Sequence, residues 1–325
     1  MPRPQAQAAV KNSTNVRFPT SLLRAGFRLL GRIAPGLAAA AAERLFFTPP
    51  RPRRFSDDEA LRQAQRTYVS VEGRRLAAWR WGRGPAVVLL HGWGGEAAQL
   101  SAFVAPLVDR GLSVVAFDAP GHGRSGRGMS SAPQFASALK AVAKGGVHGI
   151  VAHSLGAAAT ALAMRDGLRV ERVVFLAPAA DPPAWIAPFA ERLWVEPEVL
   201  ARVRARSERR IHRRWDELSV PALVAGCQAA LLVIHDRLDP QVPLRDGAAI
   251  AAAWPGARLV ETSGCGHNRL LRDAQVVEQA TAFVARDAVT RCACGERLEP
   301  DGQCEACRLA RELFDRESRW VVRVA

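Results

Sequence analysis

A serine, a histidine and an aspartate, far apart in this chain, each stand in a setting suited to nucleophilic catalysis. Ser154 lies in Ala152-His153-Ser154-Leu155-Gly156, between the apolar run Ile150-Val151-Ala152 and an alanine-rich segment of helical character. Strand, sharp turn, helix: that order lifts a hydroxyl out of a sheet and sets it over a helix N-terminus. The turn is strained, so the residues two before and two after the serine must be small, as Ala152 and Gly156 are. Acyl transfer by such a serine also needs a base, a carboxylate to orient the base, and donors for a developing oxyanion.

The base is His267, in Gly264-Cys265-Gly266-His267-Asn268. Nothing in a glycine-flanked strand-to-helix loop calls for an imidazole as packing. The other histidines have plainer readings. His153 neighbours the serine but points elsewhere on the turn, His91 braces a loop, His122 lies in a glycine turn, and His148 and His212 are surface residues. The carboxylate is Asp239, in Ile234-His235-Asp236-Arg237-Leu238-Asp239-Pro240-Gln241-Val242-Pro243, where prolines stiffen the loop. Asp236 in the same loop and Asp181 after the preceding strand are rival acids. The oxyanion donors are backbone N–H groups, that of Leu155 at a helix N-terminus and that of Trp93 in His91-Gly92-Trp93-Gly94-Gly95. Removing one such donor costs about 10²–10³ in turnover.

The elements that must position these residues follow from hydrophobic periodicity. Thr67–Val71 and Arg75–Trp81 alternate about Glu72-Gly73-Arg74 and read as an antiparallel hairpin. Continuous apolar strands then alternate with helices. Strands are expected at Val87–Leu90, Ser113–Phe117, Val147–Ala152, Arg172–Leu176, Ala230–His235 and Ala257–Glu261. Helices are expected at Ala97–Asp109, Pro133–Ala143, Leu155–Arg165, Leu244–Ala253 and Leu270–Arg286. This pattern specifies a parallel sheet covered on both faces. Residues 182–225 interrupt it with a helical insertion holding Trp185, Trp194 and Trp215 and a cluster of seven arginines over 202–214. An insertion at the carboxyl edge of a parallel sheet caps the ligand site. The arginines form a solvated helix face, with steering of an anionic substrate as the alternative.

These motifs resemble the α/β-hydrolase superfamily. The residues that carry the likeness are His91-Gly92-Trp93-Gly94, Asp118-Ala119-Pro120-Gly121-His122-Gly123-Arg124-Ser125, the Ser154 pentapeptide, Asp239 before a Val-Pro, and Gly266-His267, in family order over residues 66–286. The resemblance implies an α/β fold with an eight-stranded, mostly parallel sheet, helices on both faces and a short helical cap after the sixth strand. It implies Ser154, Asp239 and His267 as nucleophile, acid and base, with no cofactor for catalysis. A serine at the elbow speaks against the dehalogenase and epoxide-hydrolase branches, which use aspartate there. Ala152 for glycine is a departure, as is Asp236 where glycine often follows the strand-end histidine. The implied activity is hydrolysis of a small-molecule carboxylic ester or thioester through an acyl-enzyme, esterase-, lipase- or thioesterase-like. The alternatives are a non-catalytic hydrolase-fold binding protein, or an amide or carbon–carbon hydrolase using the same residues.

Three regions lie outside that likeness or at its edge. The formal net charge is +14, and residues 1–54 carry ten Lys/Arg against one Glu, so the basicity belongs to an arm and not to a nucleic-acid-binding body. Ser21–Phe47 in that arm reads as an amphipathic helix with Arg24, Arg28 and Arg32 on one face. It packs on the domain or makes peripheral contact with an anionic membrane. The stiff linker Thr48–Arg54 ends the arm, the hydrolase-like domain is placed at 55–286, and a tail at 287–325. The tail holds Cys292, Cys294, Cys304 and Cys307, two close thiol pairs that look like a small zinc-ribbon knuckle binding structural zinc. Over residues 286–325 eight Arg balance eight Asp/Glu, which disfavours nucleic acid and suits a clip or a protein-partner module. Cysteine usage fits a reducing, cytoplasmic setting.

Overall fold

The computed structural model describes residues 20–50, 58–286 and 288, with positions 305, 308 and 309 of the tail. The four tail cysteines proposed as zinc ligands lie outside the described residues, as does the linker segment 51–57.

The chain opens with α1 (Thr20–Ile33), α2 (Pro35–Phe46) and a single turn, α3 (Glu59–Arg62). The helix expected over Ser21–Phe47 is therefore two helices. Pro35 lacks an N–H and pushes Ala34 out of the helical region, to φ −149° and ψ 68°. The hairpin β1 (Gln65–Val71) and β2 (Arg74–Trp81) follows, turning through Glu72 and Gly73, both at positive φ. Next come β3 (Ala86–Leu90), α4 (Val104–Val108), β4 (Ser113–Phe117), α5 (Ala132–Val142), β5 (Gly149–His153), α6 (Leu155–Arg165) and β6 (Arg172–Leu176). The insertion contributes α7 (Ile186–Leu193), α8 (Pro197–Ile211) and α9 (Val220–Val224). The alternation resumes with β7 (Ala230–Asp236), α10 (Leu244–Ala253), β8 (Arg258–Thr262), α11 (Gly266–Arg269) and α12 (Ala274–Ala285). Two expected helices are broken: Ala97–Phe103 is a 3-10 helix leading into α4, and Leu270–Arg272 is a 3-10 turn before α12. Asp273 starts α12 afresh by accepting from the amides of Gln275 and Val276.

The eight strands form one sheet in the order β1-β2-β4-β3-β5-β6-β7-β8; β2 pairs antiparallel with β1 and β4, and the other pairs are parallel. Alternation sorts its side chains to two faces. Val88, Leu90, Ile150, Ala152 and Phe175 pack under α5, α6, α9 and α10, with Phe135, Leu162 and Trp254 closing that layer. Val87, Leu89, Val151, Val174 and Ile234 face α4 and α12, against Phe103, Leu107 and Phe283. With both faces covered, β5 is buried along its whole length. His148, expected at the surface, is buried beneath α12, where its Nε2 donates to the Val284 carbonyl at 2.9 Å.

A third apolar cluster joins the arm to the cap. Phe27 of α1 and Ala38, Ala39 and Ala42 of α2 pack on Ile186, Val199 and Val203. The alanines bring α2 close to α8, where buried Glu43 accepts from Arg206 (3.1 Å) and Arg210 (2.9 Å). Among the described residues no helix is long and apolar enough to cross a membrane.

Candidate active site

Parallel strands end in register, so the loops after β3, β5, β7 and β8 leave the sheet along one rim. Leu90 pairs with Ala152, His153 with Leu176, and Asp236 with Thr262. Trp93, Ser154, Leu155, Asp239 and His267 lie just beyond these four ends, and Asp236 is the last residue of β7.

Ser154 turns the chain from β5 into α6 at φ 52° and ψ −117°, a region that L-residues rarely enter. The surrounding structure holds it there. Its N–H donates to Leu176 O at 2.9 Å, and a Cβ on Gly156 would meet the Leu90 and His91 carbonyl oxygens at 2.8 and 2.7 Å. The loop after β3 presses equally close. A Cβ on Gly92 would lie 2.9 Å from Ser154 Cβ and 3.2 Å from His153 Nδ1. The glycines that mark these motifs are thus required by close approach of two backbones.

His91 holds the Gly92 loop in place. Its Nδ1 donates to Gly92 O at 2.7 Å and its Nε2 accepts from Ala119 N–H at 3.0 Å, which fixes one neutral tautomer. Burial pushes the pKa of His91 down, against the field of Asp118. Asp118 supports the next loop by accepting from the amides of Ala97 (2.7 Å) and Arg124 (2.6 Å), and burial raises its pKa. The His122 ring packs edge-on against Trp93 at 5.2 Å. The N–H groups of Trp93 and Leu155 donate to no carbonyl or side chain among the described residues.

The loops after β7 and β8 meet through two carboxylates with different tasks. Asp239 Oδ2 accepts from His267 Nδ1 at 2.7 Å, while its Oδ1 accepts from the amides of Gln241 (2.8 Å) and Val242 (3.0 Å). Burial opposes charge on this carboxylate. The imidazoles of His235 and His267 and the Val242 amide outweigh it and hold the pKa well below the ordinary carboxylate range. Asp236, the rival in the same loop, turns away. Its Oδ2 accepts from Thr262 Oγ1 and Cys265 N–H, both at 2.8 Å, and its Oδ1 accepts from Leu238 N–H at 2.9 Å. It ties the histidine loop to the acid loop. Asp181, the other rival, is exposed at the start of the cap. Burial and then the field of Asp246 raise its pKa, and His267 is hydrogen-bonded to Asp239 instead. A depression of about 370 Å³ opens beside His267, between Leu238, Pro240, Cys265 and Arg269.

The structure brings His267 and Asp239 together and seats the His267 ring against His153, with ring centroids 4.6 Å apart. The Ser154 hydroxyl is hydrogen-bonded to neither, although it belongs to the residue directly after His153. His153 does not point away from the site as expected. Its Nε2 donates to His267 O at 3.1 Å, its Nδ1 is buried without a hydrogen-bond partner, and burial lowers its pKa well below the usual imidazole value.

Sequence reasoning also missed His235. This fully buried residue of β7 donates through Nε2 to Val242 O at 3.0 Å and stands 3.6 Å from Asp239 Oδ2. A histidine ending an apolar strand four residues before the acid was the available signal.

The cap differs from expectation in two respects. Trp215 is buried in the cap's own core, donating to Ser207 Oγ at 2.9 Å, and Trp194 is exposed beneath Arg24 and Arg28, so neither faces an acyl site. Six of the seven clustered cap arginines are consumed in pairs: Arg202 with Glu198, Arg204 with Glu208 and Asp216, Arg206 and Arg210 with Glu43, Arg213 with Asp166, and Arg214 with Asp216. A substrate-steering field from them is not supported.

The sequence model of the alpha/beta hydrolase family matches residues 87–280, more than half of the chain and all four site loops. The chain belongs to that family. Over 44 residues the hydrolase is 54% identical to the pimeloyl-[acyl-carrier protein] methyl ester esterase of Methylococcus capsulatus, a match covering 14% of this chain and 17% of that enzyme. In fold it is similar to a thermophilic esterase of Thermogutta terrifontis, with TM-score 0.54, 19% identity, and coverage of 69% of this chain and 99% of the other. A 2-hydroxy-6-oxo-6-phenylhexa-2,4-dienoate hydrolase of Rhodococcus is comparable, with TM-score 0.52, 21% identity, and coverage of 69% and 99%.

Proposed function

We propose that this hydrolase cleaves a carboxylic ester or thioester through an acyl-enzyme on Ser154. The observation that carries this reading is the 2.7 Å hydrogen bond from His267 Nδ1 to a buried, charged Asp239, beside a serine strained into an elbow. With Nδ1 as donor, the Nε2 lone pair of His267 is free to take the Ser154 proton, and Asp239 stabilises the imidazolium without accepting that proton. The hydroxyl closes on Nε2 as substrate fills the site, since serine–imidazole contacts are often long before substrate binds. The deprotonated oxygen attacks the carbonyl carbon. The resulting oxyanion takes hydrogen bonds from Leu155 N–H, at the N-terminus of α6, and from Trp93 N–H. Collapse expels the alcohol or thiol, which leaves with the proton from His267. A water then repeats the sequence on the acyl-enzyme, releasing the acid and restoring Ser154.

Asp236, His235 and His91 act at one remove. They fix the loops from which the reacting groups project. The pimeloyl ester esterase likeness supports an ester with an aliphatic acyl part, and no cofactor enters any step. Turnover of short- and long-chain p-nitrophenyl esters by the wild type and by Ser154→Ala tests the reading. Hydrolysis by the wild type alone is expected. Equal turnover by both proteins would reject it, and no turnover of any ester would move the assignment to amide or carbon–carbon substrates or to a binding role.

A further inference from the structure

Of the eight large apolar side chains exposed among the described residues, four lie on the arm. Leu22, Leu29 and Ile33 of α1 are 70%, 62% and 70% exposed, and Leu37 of α2 is 66% exposed. At spacings of seven and four residues, with Gly26 between, the three α1 residues form one stripe along the helix. The opposite apolar flank of the same helix, with Phe27, packs into the arm–cap cluster. An amphipathic helix in a monomer needs one apolar flank; α1 has a second that none of the described residues covers.

The charge flanking α1 is of one sign. Arg28 and Arg32 lie to one side of the stripe, whereas Arg24, about half a turn round from it, turns to the cap and donates to the Arg192 carbonyl at 2.8 Å; no carboxylate among the described residues pairs with any of the three. Residues 1–42 contain no Asp or Glu, and Glu43, the first acidic residue in the chain, is buried and held by Arg206 and Arg210. Trp194 extends the patch from the cap. It is 48% exposed, with the Arg24 and Arg28 guanidinium carbons 5.1 and 5.5 Å from its ring centroid. Glu196 of the cap approaches α1 at Gly31, half a turn away from the stripe.

From this arrangement we propose that α1, with Leu37 and Trp194, docks on an anionic phospholipid surface. Leucine and isoleucine enter the acyl boundary, tryptophan sits at headgroup depth, and the arginine row meets lipid phosphates. A second copy of the chain fits less well, because a two-fold contact would set arginine rows against each other across an apolar seam. The chain that follows α2 reaches the site. Pro50 lies against the oxyanion loop, where a Cβ on Gly94 would meet its Cγ at 3.0 Å, and the Phe47 carbonyl accepts from Ser130 N–H at 2.7 Å.

Cosedimentation of the full chain with phosphatidylcholine vesicles, with and without roughly 30 mol% phosphatidylglycerol, tests this. Binding to the anionic vesicles alone is expected, weakening as salt rises above about 0.15 M. Leu29→Ser/Ile33→Ser should weaken it at least about tenfold. Arg28→Gln/Arg32→Gln should weaken it about fivefold for each arginine removed. Both variants should keep the wild-type melting temperature. No binding, or equal binding to neutral vesicles, would overturn the proposal. A dimer dispersed by Leu29→Ser/Ile33→Ser without vesicle binding would assign the face to a second copy instead. Binding only after removal of residues 1–19 would assign it to that segment and equally overturn the proposal.

Discussion

The rim of the sheet and the arm–cap layer beside it are held by opposite kinds of contact. At the rim, backbone meets backbone with no room for a Cβ, and buried carboxylates and imidazoles satisfy the loop amides: Asp236, Asp239, His91 and Asp118 between them accept from at least eight donors. In the arm–cap layer, partly exposed guanidinium groups reach the buried Glu43 carboxylate beside an alanine seam. Directional contacts in a dry setting fix atoms to fractions of an ångström. Ion pairs at a wet boundary hold a layer in place while permitting adjustment. A hydrolase needs the first at its reacting atoms and the second around a mouth that admits substrate.

Substitutions at the rim should therefore cost more than substitutions in the layer. The largest effect is expected from Asp239→Asn, which breaks the His267 tautomer. Turnover should fall about 10⁴-fold, with the melting transition still cooperative. Asp236→Asn separates the two carboxylates of that loop. It replaces an acceptor with an NH₂ group facing loop amides, so it should lower stability by about 2–4 kcal/mol in urea unfolding while retaining far more turnover than Asp239→Asn. Equal loss of turnover in the two would merge their roles. Glu43→Gln, in the layer, leaves Arg206 and Arg210 unpaired and should cost about 1–3 kcal/mol, with faster proteolysis of the arm and unchanged p-nitrophenyl ester turnover.

Acid should act on the rim in two stages. His91 and His153 have pKa values below the ordinary imidazole value in the folded state, so the unfolded chain binds more protons once pH falls under that ordinary value. Stability should thus decline from about pH 6.5 downward. Asp239, whose folded pKa is depressed, contributes stability above the ordinary carboxylate pKa that is lost as pH falls further. Urea midpoints measured from pH 8 to 4 should show the first decline, and His153→Phe should flatten it. A midpoint constant from pH 7 to 5 in the wild type would contradict the buried neutral imidazoles.

The sheet was legible because each strand is a short apolar run bounded by turn residues, and the placing of Ser154, Asp239 and His267 in strand-end loops was legible because glycine and proline mark those loops. The break of the arm at Pro35 was missed although the signal, a proline inside a helical run acting on Ala34, is local. What sequence could not distinguish was direction. Asp236 and Asp239 sit three residues apart, and only the pairing of Asp236 with Thr262 turns one carboxylate into the loop and leaves the other for His267. His153 and His235 likewise look like ordinary neighbours until long-range pairing stacks one on His267 and sets the other behind Asp239. The cap tryptophans misled because an aromatic in a helical insertion is equally suited to a pocket or to the cap's own core.

The central claim is that Ser154 is the nucleophile, activated by His267. Fluorophosphonate treatment of the full chain followed by peptide mapping tests it most directly. One adduct is expected, on Ser154, abolished in Ser154→Ala and slowed at least about 10³-fold in His267→Ala. An adduct on another residue, or labelling of Ser154 at wild-type rate without the imidazole, would contradict the account.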